Sequence, residues 1–383
     1  MHSEIRSLAA EAPRPGHAGG LLEIDLGAIA ANWRLLAGRL GAAGCAAVVK
    51  ADAYGLGADR VAPALFDAGA RQFFVAHLDE ALALRRVLPG AAEIFVLNGL
   101  PAGAEADCAA AGVRPVLNSL PEIERWTRLA RAQGGALPAA AQVDSGMSRM
   151  GLPAAELDRI AADPSLLEGV TLRLVMSHLA CADEPAHPMN RSQLAAFEAA
   201  RRRLPAAPAS FANSSGIFLG PDYHFDLGRP GAALYGLNPV PTEANPMRPV
   251  VRLLGRILQI RDIPANARVG YGASWTATRP SRIATVAVGY ADGFLRGLSG
   301  RATANAGDIP VPMAGRVSMD SITFDVTDAP EAQAGGFLEL IGPHTPADAL
   351  AATAGTIGYE ILTSLGARYA RTYHSSQSRG SRA

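Results

Sequence analysis

Lysine is almost missing from this chain: 383 residues carry 35 Lys plus Arg, and Lys50 is the single lysine among them. Cysteine is scarce too. Cys45, Cys108 and Cys181 stand apart with no CxxC pair, which excludes a disulfide framework and a zinc knuckle and fits a reduced compartment, the cytoplasm. The formal net charge is zero, so there is no electrostatic footprint for nucleic acid or for an anionic membrane. No apolar run is long enough to cross a bilayer. Residues 1–20 mix charge, Pro and Gly without the apolar centre of a signal peptide and read as a disordered tail. These absences leave a small molecule as the expected partner.

A chain that uses Arg for nearly every positive charge but keeps one Lys has use for a group that guanidinium cannot imitate. An amine can lose its proton, and guanidinium effectively cannot. The free amine attacks aldehydes to give a Schiff base. Lys50 ends the apolar run Ala46-Ala47-Val48-Val49 and opens onto Ala51-Asp52-Ala53-Tyr54-Gly55-Leu56-Gly57, a strand emptying into a Gly-rich turn. A lone surface lysine is the plain alternative, but an apolar strand is a poor place for an unpaired ammonium.

Length favours two domains. From residue 21, with Asp25 as a candidate N-cap for an Ala/Leu helix, short apolar runs alternate with helical stretches. The Lys50 run is followed by runs at 72–76, 93–97, 113–117, 139–144, 170–177, 208–212 and 225–234, with helices expected at 78–87, 120–133, 153–163 and 190–204. Eight such units predict a (β/α)8 TIM-type barrel over 21–249, whose active site belongs at the C-terminal ends of its strands. A doubly wound sheet is the alternative, disfavoured because no GxGxxG follows the first strand. Residues 238–249 read as a linker. From 250 to 383 the alternation becomes that of a mainly β domain, with a short helix at 346–354 and a frayed last ten residues.

At the expected mouth of the barrel several chemically useful residues collect. Arg149, after the fifth strand, suits a bidentate grip on an oxyanion; His178 follows the sixth, and is either a structural histidine or a ring-stacking one. Asn213-Ser214-Ser215-Gly216 and Arg229-Pro230-Gly231-Ala232 follow the seventh and eighth strands, where barrels often bind phosphate. A lysine beside a phosphate site suggests pyridoxal phosphate. Arg229 is the candidate partner of its ring nitrogen. An arginine can only donate, leaving the nitrogen neutral and the ring a weak electron sink, which favours brief proton removal and return over decarboxylation.

From about residue 21 to 369 the chain resembles the bacterial alanine racemases. The block Val48-Val49-Lys50-Ala51-Asp52-Ala53-Tyr54-Gly55-Leu56-Gly57 resembles their cofactor-lysine signature, and supporting blocks lie at 144–151, 177–180, 229–236, 269–277, 288–294 and 315–320. The resemblance implies that Lys50 is the Schiff-base lysine and one catalytic base, and that Tyr271, in Gly270-Tyr271-Gly272-Ala273, is the other, aided by His178. It implies that Tyr54, Ser214, Gly231, Ala232 and Tyr359 hold the phosphate, that Arg229 faces the ring nitrogen, and that Arg149 serves the ring oxygen and the substrate carboxylate. The backbone N–H of Met319 would serve that carboxylate too, with Tyr290, Arg296 and Asp320 lining the substrate's approach. L- and D-alanine are the implied substrates, and D-alanine would feed peptidoglycan. Because Tyr271 lies in the second domain, the resemblance also implies a head-to-tail homodimer with shared sites.

One position departs from the family. Many members carry, two residues before the Asp of the Asp144 block, a lysine whose carbamate orients the arginine matching Arg149; here it is Gln142. Its amide oxygen could accept from Arg149, or a bound anion could fill the place. A racemase of broader substrate range stays open, as do a non-catalytic pyridoxal-phosphate carrier and a basic-amino-acid decarboxylase. The Tyr271 and Met319 blocks argue against the carrier, and Arg229 against the decarboxylase.

Overall fold

The structure, a computed structural model, describes residues 13–375. They divide into two compact units, one of residues 26–248 and one joining the described residues up to Asp25 to those from Pro249 onward.

The first unit is a parallel barrel. Gly44–Cys45 and Ala47–Val48 form its first strand, followed by Gln72–Val75, Glu93–Val96, Arg114–Leu117, Leu137–Gln142, Val170–Met176, Ala209–Ser210 and Leu227–Gly228. The second to seventh strands pair in sequence order. Main-chain bonds close the ring. Asp226 and Arg229 donate to the carbonyls of Ala209 (3.0 Å) and Ala212 (2.8 Å), while Gly44, Ala46 and Val48 donate to Asp226, Gly228 and Pro230 at 2.9–3.0 Å. Strands buried on both faces must be apolar throughout, and Phe73, Phe74, Ile94, Phe95, Val96 and Val116 are almost fully buried. The helices Leu78–Arg85, Leu120–Ala132, Ala154–Ala162 and Met189–Arg201 fall where the apolar periodicity put them. After the last two strands only short 3-10 turns, Ser215–Phe218 and Ala232–Tyr235, replace long helices. The stretch expected as a linker is fastened down: the Asn32 amide donates to the Arg248 carbonyl (3.0 Å) and accepts its N–H (2.8 Å).

The second unit corrects two readings. Gly20–Asp25 is neither tail nor barrel: it is a strand of this unit's sheet, antiparallel to Val251–Ile263 and parallel to Ala370–His374. Its residues alternate buried and half-buried, with Leu22 and Ile24 inside, as in a strand with one covered face. Of the last ten residues, expected to fray, His374 is paired in this sheet and 376–383 lie outside the described residues, as do residues 1–12 of the expected tail. The sheet continues from Val251–Ile263 through Phe337–Ile341 and Thr303–Ala306 to Ile309–Pro312, and Ser281–Val286 and Ile322–Asp325 branch from its far half. The helix expected at 346–354 is present as Ala347–Ala354. Among the described residues no helix is long and apolar enough to cross a membrane.

Candidate active site

Lys50 stands at the C-terminal end of the first barrel strand, half-buried. The turn after it is not the simple Gly-rich bend its sequence suggests. Ala51, Asp52, Ala53 and Tyr54 all have positive φ, between 51° and 56°, with ψ between 38° and 52°: a full left-handed turn made of non-glycine residues. Each such residue costs ~1–2 kcal/mol relative to the right-handed form, so the surroundings must hold it. The Glu80 carboxylate accepts the N–H of Ala51 (2.6 Å), and Asp52 accepts the N–H of Ala58 (2.7 Å) at the start of the next helix. The Tyr54 ring lies 4.6 Å from that of Tyr235, whose hydroxyl donates to the Val48 carbonyl (2.9 Å). Burial, and then the Arg149 charge, pull the Lys50 amine below its ordinary pKa, while Glu80 pulls the other way.

Where a phosphate site was expected, backbone amides and a hydroxyl bond one another instead of standing as a set of free N–H groups. Ser214 is buried, and its Oγ accepts from the N–H of Gly231 (2.9 Å) and of Ala233 (3.2 Å), joining the loops after the seventh and eighth strands. A Cβ at Gly231 would meet the Tyr54 hydroxyl at 2.3 Å, so only glycine allows that ring to lie over the loop. Tyr54, Ser214, Gly231 and the buried Ala232 thus come together.

Arg229 is 4% exposed and, among the described residues, pairs with no carboxylate. It donates to the Ser210 hydroxyl and to the Ser177 carbonyl (2.5 Å), and Phe74 lies 6.0 Å beneath its guanidinium. Burial lowers it to about 9, which leaves it charged at neutral pH. His178 is half-buried by exposure but sits between cations; burial first, then Arg229, Arg149 and Lys50, push its imidazole down to about 3. It is therefore neutral around pH 7. Its loop is clamped by Gln193, which donates to the His178 carbonyl (3.0 Å) and to Ser145 (3.3 Å) and accepts the N–H of Ala180 (2.9 Å).

That depressed imidazole gives a pH dependence. Below about 6.5 the unfolded chain takes up a proton that folded His178 refuses until about 3, so stability is full above 6.5 and is lost as pH falls through that window. Between pH 7.5 and 5 the wild type should lose about 2 kcal/mol from this group. Urea unfolding of His178→Gln should show a correspondingly flatter profile; equal slopes for both proteins would rule the assignment out.

Gln142 ends the fifth strand, 8% exposed, and no hydrogen bond joins its amide to Arg149 among the described residues. Arg149 itself is exposed on its loop.

In the second unit Tyr271 opens a tight turn between Gly270 and Gly272 and is 71% exposed. Tyr290 and Met319, 42% and 53% exposed, lie side by side because the N–H of Tyr290 and of Ala291 donate to the carbonyls of Ser318 and Met319, both at 3.0 Å. Gly289 permits this, since a Cβ there would lie 2.2 Å from the Met319 carbonyl oxygen. Arg368, which the sequence did not single out, binds Asp292 through two bonds (2.5 and 2.7 Å) and Asp320 through a third (2.7 Å), fixing Asp320 beside that loop. Arg296 is exposed on a neighbouring turn, and Ser299 links the Arg296 carbonyl (2.6 Å) to the N–H of Val317 (3.0 Å). Tyr359 is 41% exposed on the Gly358–Thr363 helix.

The residues fit pyridoxal phosphate: a lone lysine at the barrel mouth, a hydroxyl joined to backbone amides beside it, and a buried arginine with no acidic partner among the described residues. Two family models account for nearly the whole chain, the alanine racemase N-terminal domain over residues 24–239 and the C-terminal domain over 250–373. The fold and the site together define a pyridoxal-phosphate-dependent isomerase acting on amino acids. The chain belongs to the alanine racemase family. It is 55% identical to the alanine racemase of Rhodospirillum rubrum over 93% of this chain and 96% of that one, and 54% identical to a catabolic alanine racemase of Agrobacterium fabrum over 94% and 93%. The crystal structure of the Bartonella henselae alanine racemase, with covalently bound pyridoxal phosphate, superposes with a TM-score of 0.90 at 46% identity, covering 93% of this chain and all of that one.

Proposed function

We propose that this enzyme interconverts L- and D-alanine by a two-base mechanism, with Lys50 and Tyr271 on opposite faces of the substrate. The observation that carries the reading is the setting of Lys50, the chain's one amine side chain, lowered in basicity by burial and by Arg149 at the mouth of the barrel. Bound pyridoxal phosphate supplies the electron sink that makes the substrate's α-proton removable. Tyr54, Ser214, Gly231, Ala232 and Tyr359 hold its phosphate, and Arg229 faces its ring nitrogen. A charged Arg229 can only donate to that nitrogen, which would leave it unprotonated and the ring a weaker electron sink, favouring return of the proton over loss of carbon dioxide. Arg149 and the N–H of Met319 bind the substrate carboxylate; Tyr290, Arg296 and Asp320 line the approach. Lys50 takes or returns the proton on one face and Tyr271 on the other. A phenol, with an ordinary pKa of about 10, needs neighbouring donors to serve as a base, and neutral His178 fits that part.

Lys50 and Tyr271 belong to different units, and the active form we propose is a head-to-tail homodimer in which each Tyr271 completes the other chain's site. Incubating the holoenzyme with L-alanine in deuterium oxide should yield D-alanine carrying α-deuterium; an absence of exchange with cofactor bound would refute the proposal. We place the enzyme in the cytoplasm, supplying D-alanine for peptidoglycan. The catabolic Agrobacterium relative supports a second reading in which D-alanine is consumed. A deletion strain that requires D-alanine separates the first role from the second, which predicts loss of growth on D-alanine instead.

The grip on Arg149 can be tested at Gln142. Gln142→Lys in bicarbonate should gain the mass of a carbamate and lower the KM for alanine a few-fold, because a fixed negative charge would then orient Arg149. Carbamylation without any change in KM or kcat would show that the two positions are not coupled.

A further inference from the structure

Glu80 is the third residue of the Leu78–Arg85 helix, half-buried, and its two oxygens have different duties. One accepts the N–H of Ala76 (2.7 Å) and of His77 (3.0 Å), which is what the start of a helix requires. The other reaches sideways to the N–H of Ala51 (2.6 Å), the residue beside Lys50. A cap needs only the first. The second bond ties the mouth of the first barrel strand to the mouth of the next, and it lands on the first residue of the left-handed run 51–54. A bond from a backbone N–H to a carboxylate is roughly twice as strong as a neutral one, and it acts where the chain is most strained. The charged groups acting on Lys50 are Arg149, which opposes its ammonium form, and Glu80, which favours it, while His178 beside them is neutral.

We propose that Glu80 is a positioning residue for Lys50: it pins the left-handed turn that aims the amine, and it does so with a carboxylate charge beside that amine. This rests on Lys50 being the cofactor lysine, but it can fail separately. Because the chain has one lysine, the full-length protein grown with lysine labelled at Cε gives one side-chain resonance to titrate. In the cofactor-free protein, Glu80→Gln is expected to move that midpoint down by about half a pH unit or more and to slow pyridoxal phosphate uptake about ten-fold. Glu80→Asp keeps the charge but is one methylene shorter, so the midpoint should return towards wild type while uptake stays slow. An unmoved midpoint in Glu80→Gln, with only a lower Tm, would make Glu80 a helix cap and nothing more. If Glu80→Gln does not fold, Glu80→Asp decides: wild-type uptake overturns the proposal, and slow uptake at an unchanged Tm upholds it. Wild-type protein that titrates normally yet never fixes cofactor at Lys50 would instead defeat the proposed function.

Discussion

Lys50→Ala is expected to lower racemisation by about four orders of magnitude or more, a loss of about 5.5 kcal/mol of transition-state stabilisation, and to end covalent retention of the cofactor. Two roles disappear together. In the proposed mechanism Lys50, the chain's one amine side chain, bonds the cofactor aldehyde and is the base for one face of the substrate. Lys50→Arg is the stricter test, because it keeps the positive charge beside Glu80 and Arg149 but cannot release a proton at working pH. We expect it to be as inactive as the alanine variant while holding its Tm, which separates proton transfer from charge. Borohydride reduction followed by peptide mapping gives the second readout. In the wild type, cofactor should be fixed to the peptide containing Lys50 alone, since no other lysine exists. Cofactor fixed elsewhere, or activity within ten-fold of wild type in Lys50→Arg, would overturn the assignment from its first step.

The strain around Lys50 shows why so much of the site, but not all of it, was legible in the sequence. A lone lysine closing an apolar run is a local signal, and the eight apolar runs that build the barrel are local signals too: Gln72–Val75, Glu93–Val96 and Val170–Met176 match their predicted stretches to within a residue at either end. The shape of residues 51–54 is not local. Nothing in Ala-Asp-Ala-Tyr asks for a left-handed conformation; it is imposed by Glu80, 29 residues away from Ala51, and by the packing of Tyr54 at a tilt against Tyr235. Gly20–Asp25 was misassigned for the same reason. Its alternation was readable as a strand, but its partners, Val251–Ile263 and Ala370–His374, lie more than two hundred residues on. The place of Arg229 after the eighth strand is readable in the sequence, whereas Ser210, in the seventh strand, and the Ser177 carbonyl, just after the sixth, which hold it, are not. Arg368 gave no signal among 34 arginines, and only its bonds to Asp292 and Asp320 mark it out.

Tyr271→Phe is expected to reduce racemisation by about 10²- to 10⁴-fold, the usual loss when one acid-base group is removed, and to do so unevenly. The side chain is 71% exposed, so the lost hydroxyl leaves no cavity and Tm should stay as it is. With the Lys50 face intact, α-proton exchange in deuterium oxide should survive better from D-alanine, the isomer we assign to Lys50 by analogy with the family, than from L-alanine. Equal loss from both isomers would contradict that assignment. The proposed shared-site dimer adds a consequence that no single variant can show. When Lys50→Ala and Tyr271→Phe chains are co-expressed, random pairing makes half of the dimers mixed. Each mixed dimer contains one site with both wild-type residues, because the intact Lys50 and the intact Tyr271 come from different chains. Two nearly inactive proteins should therefore return about a quarter of wild-type activity. If Lys50 and Tyr271 of one chain served the same site, every mixed dimer would carry two broken sites and the co-expressed protein would stay inactive.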